Sequence, residues 1–332
     1  MMSRSPTFSD MKGPLLRLFF FMAVAYLPAL ISCTNPEHTG LNQQGKPIVF
    51  VPAPPYAYLV ERLAGKSVEL HTLVGEDDDP HIYSPTPKEI ATLIRAKLYF
   101  TAELPFENAL IQKLKQSRTG PKIIDLTQSL KHREIADENH GHRGQKADDP
   151  DGEFDPHVWL SPPLFEKQAE LIAKELQKIT DAPSSAAAIG SRAQQLIREL
   201  KSLDNELARQ LAPMKGQSFY TYHGAFAHLA RTYGLKQKAI EFFGRSPEPR
   251  RIVALVNQAK SDGVKLILVQ PQFDQASAKA LATAIGGRIV PINPMAKDVP
   301  GNLRRLVKSI TEKQGEHRAH GPATRPGKLD LN

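Results

Sequence analysis

Twice along this chain, short β-branched runs alternate with helix-like stretches, and one long amphipathic segment separates the two series. In the first series, strand-like runs at 48–51, 68–74, 97–102 and 122–125 are interleaved with helical spacing at 57–64, 88–95 and 106–116. The second series places strands at 218–222, 238–242, 264–269 and 288–292, with helices at 225–233, 249–262 and 275–285 between them and a closing helix at 302–311. Strands that alternate with helices imply a parallel sheet covered by helices on its faces. The expected fold is therefore α/β, in two lobes, and 332 residues is a length that suits two hydrophobic cores better than one.

The segment between the series contains two helices, one after Pro163 and one after Pro183. The second carries Leu196, Leu200, Leu203, Leu207 and Leu211 at helical spacing. Its roughly 28 residues would reach about 42 Å, enough to cross a whole domain. It reads as a spine, giving a first lobe over 47–183, a linking helix over 184–212 and a second lobe over 213–313.

The ends differ in character. Arg4, Lys12 and Arg17 flank or precede an apolar run at 15–31 that Pro28 interrupts, too short and broken for a comfortable membrane span. Residues 1–32 read as a signal peptide. Cys33, the single cysteine, follows Leu30-Ile31-Ser32 in the Leu-x-small-Cys pattern of a bacterial lipobox, and a lone cysteine excludes an internal disulfide. Cleavage before Cys33 and acylation of its sulfur would tether the protein to membrane lipid through a polar segment at 33–46. The other reading of Cys33 is a buried free thiol. At the far end, residues 314–332 are polar and are expected to form a disordered tail. The net charge of +8 is spread over helices, leader and tail and is not gathered on one element, so nucleic acid is not an expected partner.

Two segments nearly repeat one another: Asp79-Pro80-His81-Ile82-Tyr83 and Asp155-Pro156-His157-Val158-Trp159, each followed by Ser-Pro. Proline fixes its own φ and restricts the residue before it, so each imidazole is presented on a stiff loop. Each aspartate has two open readings, a carboxylate orienting the imidazole or a turn and capping residue. A third histidine, His223, sits where a strand gives way to a helix, the place where open α/β sheets bind ligands. His228, on the helix itself, reads as a packing or surface residue. His81, His157 and His223 stand roughly 70 residues apart, which matches no zinc finger and no His-Glu-x-x-His helix. The spacing fits a cleft site, with His81 and His157 from one lobe and His223 from the other.

These residues and their surroundings resemble the zinc and manganese solute-binding proteins of bacterial ABC importers over nearly all of the mature chain. The matching segments are GEDDDPHIYSPTP (75–87), DPHVWLSP (155–162), YHGAFAHLARTYGL (222–235), VQPQF (269–273) and GGRIVPINPMA (286–296). The resemblance implies two pseudo-symmetric lobes joined by a rigid helix, with a metal site in the cleft. It also implies a non-enzymatic, monomeric protein held at the periplasmic or outer face of a bacterial membrane, which delivers its ion to a permease and its ATPase.

In that family an aspartate often supplies a fourth ligand where this chain has Asn293. Asn293 is the candidate fourth position, with Asp79, Glu241 or water as alternatives, and Asn293→Asp is expected to tighten zinc. Three imidazoles suit Zn2+ ahead of Mn2+, and suit neither magnesium nor calcium. The stretch at 132–155, with His132, His140 and His142 among acidic residues, resembles a family loop that collects metal; a merely solvated loop is the other reading. Two further functions keep the same site: a metal-dependent hydrolase, for which no placed base is recognisable, and a metal-binding adhesin or sensor.

Overall fold

The first lobe is built on β1 (Ile48–Val51), four consecutive buried residues. β2 (Glu69–Thr72), β3 (Leu98–Thr101) and β4 (Lys122–Asp125) join it in an all-parallel sheet of order β2-β1-β3-β4. β1 and β3 are buried on both faces, as central strands of a helix-covered parallel sheet must be, while β2 and β4 at the edges are half-buried or exposed. Helices α1 (Pro54–Ala64), α2 (Pro87–Ile94) and α3 (Glu107–Gln116) make the crossovers. The computed structural model describes residues 40–116, 119–128, 155–241, 249–272 and 275–318.

The second lobe repeats the plan. β5 (Ser218–Thr221), β6 (Lys236–Ala239), β7 (Leu266–Val269) and β8 (Arg288–Pro291) form a parallel sheet of order β6-β5-β7-β8. The registers match as well: β1 meets β3 through Val49 against Leu98 and Phe50 against Tyr99, and β5 meets β7 through Tyr220 against Ile267 and Thr221 against Leu268. In each sheet the connection reverses beside the first strand, so each lobe has its switch point at the carboxyl ends of β1/β3 or β5/β7, where ligands bind in such sheets.

Between the lobes run α4 (Pro162–Lys178) and α5 (Pro183–Leu211). Proline opens both helices, where its missing N–H costs nothing. α5 is 29 residues long and buries one stripe of Ile189, Ala193, Leu196, Leu200, Leu203, Leu207 and Leu211. That stripe joins the two lobes into one continuous apolar cluster, from Val49, Leu59 and Leu63 through the α5 leucines to Phe219, Leu229 and Leu303. Separate smaller clusters lie on the outer side of each sheet. Arg62 on α1 bonds Glu199, Tyr233 bonds Asp204 and Arg304 grips Glu206 with both carboxylate oxygens, so α5 is held from both sides. α6 (Ala227–Tyr233), α7 (Pro249–Ser261), α8 (Gln275–Ala284) and α9 (Val299–Arg318) complete the second lobe.

Four expectations need correction or placing. β6 lies two residues earlier than its apolar pattern suggests, because Gly234 closes α6 in the left-handed conformation and Lys236 pairs at once with Ser218 on β5. Its residues Lys236, Gln237 and Lys238 are polar because β6 is an edge strand, which the pattern of a half-buried strand does not reveal. Residues 40–46, assigned to the tether, instead close onto the lobe: Leu41 bridges Pro47, Asn42 Oδ1 accepts from the Gln44 and Lys46 amides, and Asn42 Nδ2 donates to Glu69. α9 starts at Val299 and runs to Arg318, so 314–318 are helix and not tail. The leader with Cys33, most of the 132–155 loop with its three histidines, and residues 319–332 lie outside the described residues.

Candidate metal centre

His81 stands on the loop that leaves β2 toward α2. The loop departs in register with the sheet, Leu73 and Val74 donating to the carbonyls of Val51 and Pro52. It is then folded back on itself: Gly75 N donates to Asp78, His81 N donates to Asp79 Oδ1 at 2.8 Å, and the Ile82 and Tyr83 amides donate to the Asp79 carbonyl. Its far end is locked by a capping box between Thr86 and Glu89 at the start of α2. Asp79 thus takes the turn role, stiffening the backbone under His81.

The second copy of the motif does more. Asp155 Oδ1 accepts from the His157 backbone amide at 3.0 Å and also pairs with His157 Nδ1 at 2.8 Å. Burial works to raise the Asp155 carboxyl's pKa, but its bond to His157 and the nearby imidazoles of His157 and His228 prevail and hold it below the ordinary range. His228, from α6 of the other lobe, is buried and donates Nε2–H to the Asp155 carbonyl at 2.9 Å, a packing role that buttresses the motif. Behind His157 lies the ring of Trp159, 5.3 Å centroid to centroid.

His223 follows β5 at the switch point of the second sheet. Gln270, at the end of β7, clasps its backbone from both sides, accepting from His223 N and donating to His223 O. Glu241, beyond β6, pairs with His223 Nδ1 at 3.0 Å and is itself buried. Nδ1–H directed to a carboxylate in both His157 and His223 selects the tautomer in which Nε2 is the basic nitrogen of each ring.

The ring of His223 meets those of His81 and His157 edge-on, each at 5.2 Å between centroids. A tetrahedral zinc ion with Zn–N bonds of about 2.0–2.1 Å places bound imidazole centroids about 3.2 Å from the metal and hence about 5 Å from one another. The spacing is that of co-ligands. Among the described residues, no group of three or more His, Cys, Asp or Glu side chains is already placed to hold a metal ion. Asn293, in the turn after β8, is turned to other work. Its Oδ1 accepts from Gln272 Nε2 and Met295 N, and its Nδ2 donates to the carbonyl of Glu76.

A family model described as the zinc-uptake complex component A, periplasmic, matches residues 49–313, from β1 into α9. The chain belongs to this family. It is 28% identical over 326 residues to the zinc-binding lipoprotein AdcA of Streptococcus pneumoniae, covering 91% of this chain but only 61% of that relative's length. A crystal structure of ZnuA superposes with a TM-score of 0.69 at 30% identity over 80% of this chain and 98% of that one. The Zn(II)-bound ZnuA-like domain of S. pneumoniae AdcA superposes with a TM-score of 0.63 at 27% identity, covering 81% and 98%. As a member of the family, the chain keeps the paired lobes and parallel sheets of these structures. The repeated motif points to His81 and His157 and the strand-to-helix junction to His223, but no spacing pattern points to Gln270, Gln272 and Lys297, whose amides and ammonium act on partners far away in the chain. The VQPQF segment held the only signal for the two glutamines.

Proposed function

We propose that this protein captures a divalent transition metal, zinc ahead of manganese, in the cleft between its lobes outside the cytoplasmic membrane, and passes it to the permease of an ABC importer. The observation that carries the reading is the meeting of His81 and His157 from the first lobe with His223 from the second at co-ligand spacing. On this reading the three imidazoles bind the ion through Nε2, and water fills the fourth position. Asp155 and Glu241 supply the negative charge that neutral imidazoles lack and make the ligands more basic, as outer carboxylates do around bound metals. Three nitrogen donors favour zinc over manganese, magnesium and calcium, which take more oxygen.

The relatives support the same reading. AdcA is a zinc-binding lipoprotein and the matching family model is named for zinc uptake. A lipid on Cys33 would keep the protein beside its permease, and mass spectrometry of the membrane-associated form would detect the acylated cysteine. The deciding experiment is metal analysis of the protein as isolated, followed by a competition titration against a chromophoric chelator. One equivalent of zinc, displacing manganese, is the expected result; no stoichiometric metal would overturn the proposal.

A further inference from the structure

Asn293, the candidate fourth position, has its side chain committed to the loop that carries His81. Its Nδ2 donates to the Glu76 carbonyl at 3.0 Å, and Gln272 Nε2 donates to the same carbonyl at 2.5 Å and to Asn293 Oδ1 at 2.8 Å. The Lys297 amide donates to Glu76 Oε1 at 3.1 Å, and its ammonium reaches Glu61 on α1 at 2.7 Å. Every donor lies in the second lobe and every acceptor on Glu76 or Glu61 lies in the first. Asn293 is itself fixed, its Oδ1 bonded by Met295 N and its carbonyl by the buried Asn302 amide.

We infer that Asn293, Gln272 and Lys297 form an interlobe latch on Glu76, in which Asn293 is a positioning residue for the His81 loop and not a metal ligand. The inference rests on the metal-capture reading for its consequence but on these hydrogen bonds for its substance. Glu76 lies five residues before His81. Between them the chain is stiffened by the bonds of Gly75 to Asp78 and of His81 to Asp79, so holding Glu76 holds the His81 ring against His223. The exposed Lys297–Glu61 pair adds little to such a latch, because solvent screens it. The amide network on the Glu76 carbonyl is the part that orients.

An amide is required at 293 because only its NH2 group can donate to Glu76. A carboxylate there has no donor and would set its charge against a carbonyl oxygen. Asn293→Asp is therefore expected to weaken metal retention, the reverse of what a ligand position would give.

The test compares wild type, Asn293→Asp and Asn293→Ala in two measurements. Amide hydrogen exchange across residues 75–83 of the metal-free protein should accelerate about tenfold in both variants, as loss of a hydrogen bond from this partly exposed network implies. In the Co2+-loaded proteins the visible absorption spectrum should be unchanged while Co2+ dissociates about tenfold faster. Unchanged exchange in both variants would overturn the latch. So would a shifted Co2+ spectrum with slower dissociation in Asn293→Asp, which would make 293 a ligand position. If wild type binds no metal, the transport reading fails, and the exchange measurement still decides the latch.

Discussion

Trp159 Nε1 donates to the carbonyl oxygen of Pro294 at 2.8 Å, a buried hydrogen bond that ties the second histidine motif of one lobe to the turn after β8 in the other. The indole is fully buried and packs edge-on against Tyr56 on α1 and beside His157. Trp159→Phe keeps a ring in the cavity but strands the Pro294 carbonyl. The expected cost is about 1–3 kcal/mol, the penalty for a buried acceptor without a donor. Denaturant unfolding should show a lower midpoint at unchanged slope; an unaltered midpoint would mean that the bond contributes nothing net.

Alanine at His81, His157 or His223 should each lower zinc affinity by more than about 100-fold, since removing a ligand costs more than removing its outer partner. Alanine at His140 or His142 should change it by only a small factor. Calorimetry on the mature protein checks both. Equal losses in the two groups would place the ion elsewhere.

The carboxylates behind the rings offer a finer test. Asp155→Asn and Glu241→Gln retain an oxygen that can accept from Nδ1–H but lose its charge. Each is expected to cost about 10–100-fold in zinc affinity. Affinity equal to wild type in both would leave the tethered Nδ1 atoms without a functional role.

Much of this was legible in the sequence because it depends on local pattern. Alternating β-branched and helical runs foretold both sheets, and the leucine stripe of α5 foretold a helix of 29 residues within one residue at each end. The repeated Asp-Pro-His singled out His81 and His157. What resisted reading depends on contacts between distant residues. Glu241 reaches His223 across 18 residues and Gln270 across 47, with no periodicity to announce either. The two aspartates of the repeat diverge in use, one a turn residue and one also an imidazole partner, and the identical motif does not distinguish them. The direction in which the Asn293 amide faces is fixed by Glu76, Gln272 and Met295, two of them more than 20 residues away in the chain, and composition is silent on that.

Glu107 gives the fold a pH dependence separate from the metal centre. Its carboxyl closes the turn between β3 and α3: Oε2 accepts from the Ala102 and Leu104 amides, each at 2.9 Å, and Oε1 pairs with the Tyr99 hydroxyl. Burial pushes its pKa from 4.5 to about 7, outweighing those three donors. Between about pH 4.5 and 7 the folded protein therefore holds a proton that the unfolded chain has released. Its stabilisation is complete below about pH 4.5 and is lost as pH rises through about 7, a change of up to about 3 kcal/mol. Glu107→Gln is neutral at every pH and can reproduce the bonds, its oxygen taking the two amides and its NH2 donating to the Tyr99 oxygen. Unfolding free energies measured from pH 4.5 to 8 should show the variant gaining on wild type as pH rises. Parallel curves would mean that Glu107 is already ionised when buried, with its three donors stronger than its desolvation.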